Sequence, residues 1–102
     1  MDAYFADAWE GFRLVSYDSA QVSVVLEKTL NVTFEQACSF GKESYEDLAL
    51  GHVQTMQIMR SGCMASCGVA LKLVTVKGIS SDGQVIYTVT SDGALTACWQ
   101  EN

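Results

Sequence analysis

The tripeptide Ser-Asp-Gly occurs twice, at Ser81-Asp82-Gly83 and Ser91-Asp92-Gly93, ten residues apart. Each copy sits between runs rich in Val, Ile, Thr and Tyr. Asp-Gly in that setting is a strong local hairpin signal, because glycine takes the positive φ that a tight turn needs. Two such turns in succession predict a three-stranded meander over Val69–Lys77, Gln84–Thr90 and Ala94–Gln100. The second turn also selects a register. A two-residue turn would set Thr90 against Leu95 and Thr88 against Ala97. A three-residue loop, with Gly93 left-handed in a bulge, sets Val89 against Leu95, Tyr87 against Ala97 and Val85 against Trp99. The second arrangement gathers apolar side chains on one face and is the expected one.

Upstream of the meander the pattern changes period. Asp2 to Glu10 reads as a short helix, with Asp2 as cap and Gly11 as stop. Phe12–Tyr17 and Gln21–Lys28 read as two strands joined at Asp18-Ser19-Ala20, with Val22, Val24 and Leu26 on one face. Thr33 and Gln36 form a capping box that opens a helix to about Gly41. A main helix is expected to start at Ser44. Tyr45, Leu48, Ala49, His52, Val53, Met56 and Met59 then fall in one stripe at 100° steps. A break is expected near Gly62, in the small-residue run 61–68. The order is therefore α-ββ-αα-βββ: an α+β fold of one compact domain over 1–102, with an antiparallel sheet and the helices packed on one face. Several small α+β folds share this order, so it alone names none.

The chain has 102 residues and no proline, so nothing in it reads as a Pro-rich linker. Its charge is −6, from 12 acidic residues against 6 basic ones. Arg13, Lys28, Lys42, Arg60, Lys72 and Lys77 are scattered, whereas a phosphate-tracking surface needs clustered cations. Direct nucleic-acid binding and attraction to an anionic membrane are not expected. No apolar stretch reaches the roughly 18 residues of a membrane span. The first residues lack the basic segment and apolar run of a secretory signal. On that ground Cys38, Cys63, Cys67 and Cys98 are expected as reduced thiols in a cytoplasm.

The reactive-looking motifs fail on geometry. Gln36-Ala37-Cys38-Ser39-Phe40-Gly41 has a superficial likeness to the caspase nucleophile segment. Its glycine comes one residue late, and His52, the only histidine, lies downstream rather than upstream. Cys63 and Cys67 are four apart, not the three of a zinc knuckle. On one continuous helix His52 and Cys63 would lie about 16 Å apart, too far to share a metal. No metal, cofactor or catalytic residue is expected.

His52 lies on the apolar stripe, where a histidine is ordinarily a buried, hydrogen-bonded core residue with a neutral imidazole. The leading expectation is a non-enzymatic acidic binding protein, of inhibitor, immunity or regulatory type, docking on a larger basic protein. Glu35, Glu43, Glu46 and Asp47, around the helix starts, are its candidate contacts. A second reading is a small-molecule-binding domain or minor enzyme, with a cleft lined by Tyr45, His52, Met56, Tyr87 and Trp99. A third is a purely structural homo-oligomer. The meander carries apolar residues on both faces, with Val85, Tyr87 and Val89 opposed to Ile86. One helical layer covers one face only, so the second face must meet the N-terminal helix or another subunit, and a homodimer through the sheet is the favoured expectation.

Overall fold

The computed structural model describes Tyr4, Phe5, Trp9 and residues 11–100. Five strands and two long helices follow one another as β1 (Arg13–Asp18), β2 (Ser23–Thr29), α1 (Phe34–Ser44), α2 (Glu46–Ser66), β3 (Leu73–Ile79), β4 (Val85–Thr90) and β5 (Leu95–Ala97). Tyr4 and Phe5 are helical and Trp9 lies in a bend. The rest of the helix expected over Asp2–Glu10 falls outside the described residues.

The strands form one sheet in sequential order, β1-β2-β3-β4-β5. Three neighbouring pairs are antiparallel, but β2 and β3 are parallel, in register from Ser23↔Leu73 to Thr29↔Ile79. The sheet is therefore mixed, which corrects the antiparallel expectation. The reason lies in the connection. A hairpin reverses the chain, whereas a helical crossover returns it to the end where the previous strand began. Here α2, 21 residues and about 31 Å long, carries the chain back.

Both Ser-Asp-Gly turns build the three-residue loop. Ser80 N–H donates to Gln84 O (2.8 Å) and Thr90 N–H to Ala94 O (3.0 Å). Gly83 and Gly93 take φ of +87° and +96°, a region that other residues enter at a cost. The register is the expected one, Val89↔Leu95 and Tyr87↔Ala97. β5 ends at Ala97, so the Val85–Trp99 pair does not form.

In β4 the register slips by one residue, with Gly78 opposite Tyr87 and Ile79 opposite Val85. Ile86 is the extra residue of a bulge, which lets successive side chains both turn toward the core. Ile86 and Tyr87 are both buried, while Val85 is exposed. The buried face of the sheet carries Val24, Leu26, Val74, Val76, Tyr87 and Val89. The opposite face carries a row running Arg13–Glu27–Lys77–Thr88–Thr96, and beside it Val25–Thr75–Thr90. It is more polar than simple alternation suggests. One ground for a sheet-mediated homodimer, Ile86 facing outward, is not met, because the bulge turns Ile86 toward the core.

The capping box forms as expected: Gln36 N–H donates to Thr33 Oγ1 (3.2 Å) and Thr33 N–H to Gln36 Oε1 (3.4 Å). Asp82 adds a cap from the far turn, accepting from Phe34 N–H at 3.0 Å. α1 runs on to Ser44, and Tyr45 (φ −121°, ψ −14°) separates it from α2. Ser44 is thus the end of the first helix, not the start of the second. α2 buries Ala49, His52, Met56, Met59 and Cys63, while Leu48, expected in the same stripe, is exposed. It also runs through Gly62 without the expected break. A Cβ at Gly62 would lie 2.2 Å from the Tyr4 hydroxyl. That hydroxyl donates to Met59 O at 3.0 Å, so the glycine makes room for an aromatic ring against the helix.

Val22 also departs from expectation. It lies in the turn before β2 with φ +51°, not on the strand face. Asp18 Oδ1 holds that turn by accepting from Ala20 and Gln21 N–H, a common aspartate turn device.

Candidate functional site

Two regions gather chemistry-bearing side chains. The first is the core beneath α2. His52 is 5% exposed, and its Nε2 lies 2.8 Å from the Tyr87 hydroxyl. Burial, aided by the positive charge of Lys28, pushes the imidazole down from 6.5 to about 4. Burial also pushes the Tyr87 phenol up to about 12. At neutral pH the phenol therefore keeps its proton and the imidazole is uncharged, so the two share a neutral hydrogen bond whose direction follows the His52 tautomer. The Phe12 ring packs edge-on to the imidazole, with centroids 5.4 Å apart. The Lys28 ammonium sits 5.1 Å from the centre of the Phe12 ring, a cation–π position.

Trp99 extends the group, 6.1 Å from Tyr87 between ring centroids. Two glycines make room for these rings. A Cβ at Gly78 would lie 2.2 Å from Tyr87, and one at Gly41 would lie 2.0 Å from Trp99. The Trp99 indole N–H reaches Glu46 Oε1 at 3.4 Å. Of the five residues expected to line a cleft, His52, Met56 and Tyr87 are packed in the core. Tyr45 and Trp99 instead line two separate surface grooves. The arrangement is a buried hydrogen bond among aromatic rings. Among the described residues no hydrogen bond joins a carboxylate to this neutral pair.

The second region is the surface of α1 and the start of α2. Glu35, Glu43 and Asp47 are exposed, while Glu46 is half-buried beside Trp99. Between residues 35 and 47 four acids face a single cation, Lys42. α1 turns Ala37 and Gly41 inward, which rotates Phe40 outward. Phe40 is 62% exposed and borders a groove of about 270 Å³ with Val32, Gln36, Ser44 and Tyr45. Glu43, three residues on, neighbours Phe40 on the helix surface. The sequence reading missed Phe40, although a helical wheel through Ala37 and Gly41 would have shown it. A second groove of similar size is lined by Lys42, Glu46, Trp99 and Gln100.

The cysteines correct the expectation of reduced thiols. Cys38 of α1 is disulfide-bonded to Cys98 just beyond β5, with Cα atoms 5.3 Å apart, and Cys63 is bonded to Cys67. Among the described residues no cluster of His, Cys, Asp and Glu could hold a metal. No helix among them is long and apolar enough to cross a membrane. Comparison with known proteins finds no matching family model, no matching curated protein and no matching solved structure.

Proposed function

We propose that the chain is a non-enzymatic acidic binding protein, of inhibitor, immunity or regulatory type, which docks on a larger basic protein through α1. The observation that carries this reading is Phe40, a large aromatic left 62% exposed beside a groove and next to Glu43. An apolar anchor with a charged rim is the usual economy of a protein interface: the centre supplies affinity and the charges steer and orient. Glu35, Glu43 and Asp47 supply the rim, and Glu46 holds Trp99. The reading takes both helices to cover one face of the sheet, which the His52–Tyr87 and Cys38–Cys98 links support.

The test is capture of the partner from the source lysate at low and moderate salt, with wild type, Phe40→Ala and Glu43→Lys. Salt-sensitive capture that both substitutions weaken is the expected result. Recovery of no partner, or capture unaffected by salt and by either substitution, refutes the reading.

The cytoplasmic expectation rested on the lack of a secretory signal at the first residues, and reduced thiols were part of it. With all four cysteines paired, the proposal becomes an oxidising compartment, where disulfides persist. Thiol titration of the protein from its source should find none free, and four free thiols would return it to the cytoplasm.

A further inference from the structure

From Leu48 to Ser81 the chain has no Asp or Glu, yet it carries three of its six cations there, Arg60, Lys72 and Lys77. In a molecule of charge −6 this stretch is locally positive. Arg60 stands apart from the other cations. Its Nε donates to Leu71 O at 2.8 Å, across the connection from α2 to β3. The same connection is tied on its other side, where Lys72 N–H donates to Val22 O at 2.8 Å. Arg60 is half-buried. Arg13 pairs with Glu27 and Lys28 lies over Phe12. Arg60, by contrast, meets no carboxylate among the described residues, and the contacts described leave its two Nη groups without an acceptor.

Gln57, Arg60, Ser61 and Met64 are spaced i, i+3, i+4 and i+7, so they share one face of α2. With Ala70 and Leu71 they line a groove of about 540 Å³. The lining is half polar and half apolar: a guanidinium, an amide and a hydroxyl, then Met64, Ala70 and Leu71. Met64 is 58% exposed, while Leu71 is buried.

We propose that this groove binds a monocarboxylate with an apolar side chain beside it, the chemistry shared by an N-acylated leucine and a peptide ending in leucine. The guanidinium selects the head group. With Nε fixed on Leu71 O, the Nη pair is held as a fork, and a fork matches the two oxygens of a carboxylate. One cation in the lining balances one negative charge. A dianion such as phosphate finds no second cation there, and the field of a −6 molecule repels it more. Met64 and Ala70 give the apolar side chain a surface to cover. The Gln57 amide both donates and accepts, which suits the amide next to the carboxylate. A single charge-assisted pair in an open groove supports a Kd on the order of 1 mM.

An NMR titration of the full chain, following backbone amides and the Arg60 Nε–H, tests this with N-acetyl-leucine, its carboxamide, inorganic phosphate and a pentapeptide ending in leucine. The two carboxylates should shift residues 57–64 and 70–71 and the Arg60 Nε–H, and the shifts should saturate. The carboxamide should bind at least about tenfold more weakly, since it lacks the charge. Gln57→Glu is nearly isosteric and sets a carboxylate three residues before Arg60, where helix neighbours meet. It should block binding while leaving circular dichroism and Tm unchanged. Arg60→Lys keeps the charge without the fork and should weaken binding at least about fivefold. Phe40→Ala should change nothing, which separates this groove from docking through α1. Tighter binding of the pentapeptide supports a peptide terminus as the source, and equal binding supports a free acid. No saturating shift with either carboxylate at about 10 mM, equal binding of acid and carboxamide, tighter binding of phosphate, or binding indifferent to Gln57→Glu overturns the proposal.

Discussion

Acidifying the solution should destabilise this protein through one residue. The His52 imidazole titrates near 4 in the folded chain and near 6.5 when exposed. Below 6.5 the unfolded chain binds a proton that the folded chain refuses. Stability is therefore complete above about pH 6.5, falls as pH drops, and has lost its full increment below about 4. A shift of about 2.5 units at 1.36 kcal/mol per unit gives about 3 kcal/mol in total. Some 2 kcal/mol of it is lost between about pH 7 and about pH 4.5. Against a typical domain stability of about 5–15 kcal/mol that is a large share. Urea denaturation followed by tryptophan fluorescence at those two pH values measures it. The control is His52→Gln, whose amide still meets the Tyr87 hydroxyl and does not titrate in this range. The variant should lose about 2 kcal/mol less than wild type over the same interval. Equal losses in both proteins, or a ring-proton titration of His52 near 6.5 in the folded state, would refute the assignment.

Three further outcomes follow from the same contacts. Lys28→Met removes the cation that helps keep His52 neutral, so the folded-state titration of His52 should move upward and the acid transition should become shallower. Cys38→Ala with Cys98→Ala opens a bridge between residues 60 apart; loop entropy puts the loss near 4 kcal/mol, read by urea denaturation. A change under about 1 kcal/mol would mean that the bridge does not constrain the unfolded chain. Gly62→Ala drives a methyl group into the Tyr4 hydroxyl and should cost about 1–3 kcal/mol by calorimetry, where an ordinary helical glycine would instead gain from alanine.

What the sequence revealed depended on how local the determinant was. The register of β4 against β5 was legible because it hangs on one residue, Gly93, and the left-handed conformation it permits. The Thr33–Gln36 capping box was legible for the same reason. The parallel pairing of β2 with β3 was not, since it depends on where the crossover α2 returns the chain, and no local pattern encodes that. Ile86 looked outward-facing because alternation assumes an unbroken ladder, and a bulge is visible only from the partner strand. Gly41 read as a helix end and Gly62 as a helix break. Their partners, Trp99 and Tyr4, are more than fifty residues away in sequence. The Cys38–Cys98 link is non-local in the same way. For the candidate sites, His52 was read correctly as a hydrogen-bonded core residue, because a polar group on an apolar stripe must find a partner.

The charges are also sorted by surface, which bears on where a partner would meet the chain. The outer sheet face alternates sign across its strands, with Arg13 paired to Glu27 and Glu27 beside Lys77. Such a row largely cancels its own field. At the turns, Asp82 and Asp92 are held below the usual carboxylate range, chiefly by the hydroxyls of Ser80 and Thr90. They stay ionised well into the acid range, but they spend their oxygens on capping the turns. The acids of α1 and the first turn of α2 are different. Glu35, Glu43 and Asp47 are exposed, and no hydrogen bond ties them to the fold among the contacts described. On the proposed reading a basic partner would be steered toward α1, where Phe40 is exposed, and not toward the sheet. Glu35→Gln with Glu43→Gln should slow capture at low salt and matter little at high salt, because it removes long-range attraction and leaves the anchor in place. Phe40→Ala should do the reverse, weakening the complex at every salt concentration.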